Sequence, residues 1–143
     1  MPINDRLIYL VFTAQQKLRT HLNNALASEG IRVTTAQAAI LFLLQEKDGQ
    51  SMSELSQVLS IDNSTITGLI DRLQKSGFVE RIASPTDRRI SLIKITSSGK
   101  EEANKTKPVI TKVNEEIKAG FSNRDIETFK TVLRGFFEKF RNG

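Results

Sequence analysis

The sequence predicts a mainly α-helical chain with one small β-hairpin (α+β), in which a helical lobe carrying the hairpin is flanked by helices at both ends. Three observations predict it. Apolar residues recur every three or four positions along most of the 143 residues. Runs rich in β-formers are confined to 78–83 and 90–96, with the turn sequence Ser84-Pro85-Thr86-Asp87 between them. Directly before the hairpin, residues 61–77 read as a capped, one-sided helix with a stop signal.

Residues 4–29 read as one helix. Leu7, Val11, Ala14, Leu18, Leu22 and Ala25 fall on one stripe, and Gly30 ends it. The helix is long for so small a domain, so part of its stripe is expected to pack on something outside it. A second helix starts at Thr34 or Thr35 and carries Ile40, Leu41, Phe42, Leu43 and Leu44, apolar nearly all round, which argues burial. Residues 47–50 read as a turn. Ser51 and Glu54 offer a capping box, with Ser53 an alternative cap, for a short helix bearing Leu55, Val58 and Leu59. Ser60-Ile61 then turns the chain.

The next helix is the most informative. Asp62, Asn63 and Ser64 are all good N-caps, Ile66, Leu69, Ile70 and Leu73 form one buried stripe, and Gly77 suits the left-handed stop. At roughly 100° per residue, Ser64, Gly68, Asp71 and Lys75 lie opposite the stripe, flanked by Thr65, Thr67 and Arg72. Two helices joined by a tight turn, the second with an outward polar face, make a helix-turn-helix. Such pairs also occur in any small helical bundle, so the hairpin is what shifts the balance. Placed straight after the second helix it is a wing, with Arg88 and Arg89 at or just past its tip. The untidy alternation of Ile90, Leu92, Ile93 and Ile95 leaves that strand resting on composition and the turn. Paired tip arginines fit insertion at a DNA minor groove, where narrow A·T stretches attract guanidinium groups, although solvation alone also accounts for exposed cations.

From Thr96 the chain is helical again, capped by Thr96 or Ser97, striped by Val109, Val113 and Ile117, with a kink expected over 104–108 at Pro108. Gly120 ends it, and Ser122 with Asp125 opens a last helix over 123–141. Five of the eight phenylalanines lie in residues 121–143. That apolar face, with the long first helix, reads as a symmetric homodimer contact, for which Leu7, Val11, Phe129, Leu133, Phe136 and Phe140 are the candidates. Termini folded back on a monomeric core are the alternative. The whole chain, 1–143, is thus divided into a lobe at 31–99 and a helical dimerisation region at 1–30 and 100–143.

Composition bounds the function. The net charge is +5, spread along the chain, which suits an anionic partner without locating it. No apolar run approaches the ~18 residues that span a membrane, and Asp5 and Arg6 occupy the place of a signal peptide's apolar region. A cytoplasmic protein is expected. With one histidine, no cysteine, no glycine-rich phosphate loop and no metal-ligand spacing, an enzyme, a bound metal and a cofactor are not expected.

These residues resemble the MarR (multiple-antibiotic-resistance-regulator) family of winged-helix transcriptional regulators. The likeness runs through Thr35 and Gln37, Ser53-Glu54-Leu55-Ser56, Leu59, residues 61–67, Asp71-Arg72-Leu73, residues 77–81, Asp87-Arg88-Arg89, Ile95-Thr96 and Gly99. It implies a homodimer reading a pseudo-palindromic operator on double-stranded DNA, acting as a repressor. On that basis Ser64, Thr65, Thr67 and Arg72 would touch bases and phosphates, with Gly68 and Lys75 on the same face. Arg88 and Arg89 would act from the wing, and Asp62 or Asp87 would orient a wing arginine. Gly68 departs from the family, which often has arginine or another large polar residue there. A winged-helix adaptor with weak, non-specific DNA binding is the alternative that Gly68 supports. The family also implies release by a small phenolic or other aromatic acid, for which Arg19 and His21 are candidates. His21 reads more readily as an interface residue on the apolar stripe than as a ligand contact.

Overall fold

The computed structural model describes residues 2–141, as two units divided between Val109 and Ile110. In the first, a 3₁₀ turn (Ile3–Asp5) is followed, after an extended Arg6, by α1 (Leu7–Ser28). Then come α2 (Thr35–Glu46), a two-residue strand β1 (Gln50–Ser51), α3 (Met52–Leu59), α4 (Asn63–Lys75), β2 (Val79–Ala83) and β3 (Ser91–Ile95). α5 (Ser97–Lys118) runs from the first unit into the second, which also holds α6 (Asn123–Lys139).

Local capping explains where the helices begin. Thr34 and Gln37 form a full capping box for α2, and Ser51 and Glu54 form another for α3. Ser122 caps α6 by accepting the Asp125 N–H at 3.0 Å. Gly77, at φ +83°, ends α4 in a paired-carbonyl stop. Its own N–H reaches the Gln74 carbonyl and the N–H of Phe78 reaches that of Leu73. α5 continues through Pro108, where a kink over 104–108 was expected. The carbonyl that Pro108 leaves without a helical donor belongs to the exposed Asn104, which water can satisfy.

The sheet has the order β1-β3-β2, all antiparallel, with Val79 opposite Ile95 and Ala83 opposite Ser91. β1 pairs Gln50 with Ile93 and Ser51 with Leu92, so the expected turn at 47–50 ends in a third strand. It also explains the uneven pattern of the return strand. Ile93 and Ile95 point into the core, Leu92 is half-buried, and Ile90 lies outside the strand and is exposed.

The core of this unit joins Leu26 of α1, Ile40, Leu41 and Leu44 of α2, Leu55 of α3, and Ile66, Ile70 and Leu73 of α4 with Phe78 and Ile93. Each such side chain is worth about 1.5–3 kcal/mol when buried. The stripe of α4 therefore outweighs the roughly 1 kcal/mol that an interior glycine costs its helix. Three polar contacts fix the connections. Asn23 of α1 accepts both the N–H (2.8 Å) and the hydroxyl (2.6 Å) of Thr35. The buried Glu102 of α5 accepts the Arg32 N–H at 2.6 Å. Asp48 accepts the Ile95 N–H at 2.9 Å, and Arg32 stacks over Phe78.

Two surfaces stay apolar. On α1, Leu7 is 75% and Ile8 86% exposed, with Leu10, Val11, Phe12 and Leu18 also open. In the second unit, α6 has no fully buried residue: Phe129, Val132 and Phe137 are exposed, as is Phe140 just past its end. Leu133 and Phe136 are half-buried, with Phe136 edge-on to Phe140.

Candidate nucleic-acid interface

The candidate site is built on α4 and the loop between β2 and β3. Asp62 starts α4 by accepting the Thr65 N–H at 3.0 Å and the Ser64 hydroxyl at 3.4 Å. Hydrogen bonds from Thr65, side chain first and N–H second, hold the Asp62 carboxyl below the ordinary carboxylate range. One of the two expected orienters of a wing arginine is thus occupied elsewhere, at the head of α4. Short side chains so close in sequence make a local cap before a contact across the fold.

With Ile66, Leu69, Ile70 and Leu73 buried, the opposite side of α4 is left open. Ser64, Thr65, Thr67, Arg72 and Lys75 are exposed, and Gly68 is half-exposed. Thr67 turns its hydroxyl back to the Asn63 carbonyl, 2.8 Å away. Asp71, placed on the outward face by periodicity, is held by Arg81 of β2, which also grips Gln74. Arg81 therefore ties the wing strand to the last turns of α4, fixing the angle between the two parts of the site. The sequence supplied both residue types, but nothing in it assigned them to each other.

The wing tip is folded by its own side chains. Ser84 is buried, and its hydroxyl accepts the N–H groups of Thr86 and Asp87 at 3.3 and 3.4 Å. Its backbone N–H closes the loop on the Ile90 carbonyl at 2.9 Å. Asp87 then meets Arg89 three times: with its N–H at 3.0 Å, its Nε at 3.1 Å and its Nη2 at 3.1 Å. The Arg89 side chain, followed by its N–H, draws the Asp87 carboxyl below its usual range, and Asp87 raises Arg89 in return. Asp87 is therefore the residue that orients a wing arginine, in a two-pronged grip that fixes direction as well as distance. Arg88 beside it is exposed. Ser84 was legible only as part of a turn.

The two candidates for a small-molecule contact separate. His21 lines an open depression of about 430 Å³ on α1 with Gln16, Lys17, Thr20 and Asn24. Arg19 is not in that lining, because two residues along a helix turn about 200° and put it on the other side. Among the described residues no group of His, Asp and Glu could hold a metal ion, and no helix is long and apolar enough to cross a membrane.

The comparisons agree with this geometry. Residues 33–91, which include α2 to the wing, match the family model described as MarR family. The HTH-type transcriptional regulator MhqR of Bacillus subtilis is 26% identical over 90% of this chain and 88% of its own. The multiple antibiotic resistance protein MarR of Escherichia coli is 35% identical over 66% of this chain and 62% of its own. Among solved structures, that of Bordetella bronchiseptica BpsR superposes with a TM-score of 0.88 over 95% of this chain and 96% of its own. At 20% identity that likeness speaks for the fold; in BpsR itself, DNA binding is regulated by 6-hydroxynicotinic acid. The lobe, the wing and the relatives along the chain together show that this protein is similar to the MarR family of winged-helix, DNA-binding transcriptional regulators.

Proposed function

We propose that the chain acts in the cytoplasm as a homodimeric repressor, laying α4 of each lobe in the major groove of a pseudo-palindromic operator while Arg89 reaches the adjoining minor groove. The observation that carries this reading is the wing arginine. Its side chain is 90% exposed, yet Asp87 holds it in a fixed direction. An exposed ion pair contributes little to folding, so its rigidity serves something outside the chain. A guanidinium presented ready-oriented at a hairpin tip suits the negative potential of a narrow minor groove. Arg72, Lys75 and Arg88 supply phosphate contacts, and Ser64, Thr65, Thr67 and Gly68 face the base edges.

The homodimer rests on the apolar side chains left open on α1, on α6 and at the end of α6, Leu7, Val11, Phe129 and Phe140 among them. The ligand is a small aromatic acid, read from BpsR and from the polar depression around His21, where Lys17 offers a cation. Repression follows from occupancy, since a bound dimer excludes other proteins from the same DNA. The test is selection of bound fragments from genomic DNA by the purified protein, followed by competition with aromatic acids. Enrichment of a palindromic sequence that such an acid releases is the expected result. Uniform weak retention of all fragments refutes it and favours the adaptor, the reading to which the bare surface at Gly68 lends its one support.

A further inference from the structure

The open face of α4 has little hydrogen-bond donation to spare. Thr67 commits its hydroxyl proton to the Asn63 carbonyl. Ser64 directs its own to the Asp62 carboxylate, which also accepts the Thr65 backbone N–H. What the Ser64 and Thr67 hydroxyls have left to offer is lone pairs, and Thr65 and Thr67 each add a methyl group. Between them lies Gly68, where an added Cβ would meet no atom within 4 Å. Nothing within the chain requires glycine there, and the notch is open to whatever the helix lies against. The first cation along the face is Arg72, a full turn further on.

Base edges differ in what they ask of such a surface. Guanine offers the major groove only acceptors, N7 and O6, and needs a donor. Amino groups that a hydroxyl lone pair can accept occur on both adenine and cytosine, but only an A·T pair offers the thymine C5-methyl, which takes an apolar contact. We propose that Gly68, with Thr65 and Thr67, reads thymine methyls of A·T pairs in each half-site. Sequence is then read there by close apolar contact in place of arginine–guanine hydrogen bonds. This rests on α4 being the major-groove helix, as argued above. It gives the departure at Gly68 a function: the missing side chain lets the helix approach the methyl groups.

The experiment has two stages. A library of random-sequence duplexes is first enriched on the full-length protein to define its operator. Each thymine in that operator is then replaced singly by deoxyuridine, which removes only the methyl, and each guanine by 7-deazaguanine, which removes the N7 acceptor. Under α4, two or more deoxyuridine positions should each weaken binding about fourfold, the value of one buried methyl-sized group, with 7-deazaguanine neutral within about twofold. The variant Gly68→Arg, which the open space accommodates, should lose that sensitivity and select guanine instead. A specific operator indifferent to every deoxyuridine, or strongly weakened by 7-deazaguanine under α4, overturns this inference and leaves the DNA-binding reading standing. A library from which no sequence is enriched overturns both.

Discussion

Two glycines on neighbouring elements should respond to alanine with opposite signs. At Gly99, in the first turn of α5, an added Cβ would stand 2.1 Å from the Phe78 carbonyl oxygen and 2.8 Å from the Ile95 Cγ1. The first neighbour is backbone, so the start of α5 must move by most of an ångström. That oxygen already accepts the Thr96 N–H at 3.0 Å, while the Thr96 hydroxyl bonds the Gly77 carbonyl at 2.6 Å and caps the Gly99 N–H at 3.1 Å. Three hydrogen bonds worth about 1 kcal/mol each lie in the path of the movement. Overpacking estimates of about 1–3 kcal/mol agree. Gly99→Ala should therefore cost about 3 kcal/mol, a large share of the roughly 5–15 kcal/mol of a folded domain. Gly68→Ala meets open space and should gain about 1 kcal/mol of helix propensity. Urea unfolding followed by circular dichroism, at one protein concentration for all variants, measures both. A Gly99→Ala variant within about 0.5 kcal/mol of the parent would refute the close approach of α5 to the base of the wing.

Other consequences are as direct. Ser60 ends α3 in the left-handed region at φ 54°, which is strained for any side chain, so Ser60→Gly should raise stability by about 0.5–1 kcal/mol in the same assay. Glu102→Ala removes the charged acceptor of the part-buried Arg32 N–H and should cost about 1–3 kcal/mol, measured likewise. Asp62, its folded carboxyl held below the ordinary value of 3.8, stabilises fully above that pH and loses its effect as the pH falls through the folded value. The stability gap between the parent and Asp62→Ala should accordingly close in acid; a gap that widens on acidification would contradict the cap. Leu7→Glu places a charge where the single chain is open to water, so the fold should survive while a dimer dissociates. Light scattering of a folded variant that keeps the parent's mass would remove Leu7 from the interface.

Much of this molecule could be read from its sequence because its local rules are strong. The Ser51–Glu54 box, the cap at Asp62, the stop at Gly77 and the four-residue stripe of α4 each depend on neighbours within a few positions. The stop and the stripe formed as the spacing predicts, and the fold chose Ser51 over Ser53 and Asp62 over Asn63 and Ser64 as caps. What escaped depends on distant partners. β1 is two residues long and exists only through its pairing with β3, so no alternation could announce it. Asn23 finds Thr35 across a helix end, Asp48 finds Ile95, and Glu102 finds Arg32 seventy positions away. Within the site, the residue types at the wing were legible, but the choice between Asp62 and Asp87 was not. A carboxylate can serve a helix end or an arginine with equal chemistry, and only the fold decides which is nearer.

The central claim is that α4 and a pre-oriented wing arginine read DNA together. Fluorescence anisotropy on the selected operator and on a scrambled duplex, over a series of salt concentrations, tests it for the parent and for Arg89→Ala. The parent should prefer its operator by about 10³ or more. Its affinity should fall with salt at a logarithmic slope of about −5 or steeper, as six or more phosphate contacts require. Arg89→Ala should lose most of that preference with its fold unchanged. An Arg89→Ala protein that binds the operator as the parent does, with the same discrimination, would contradict the account.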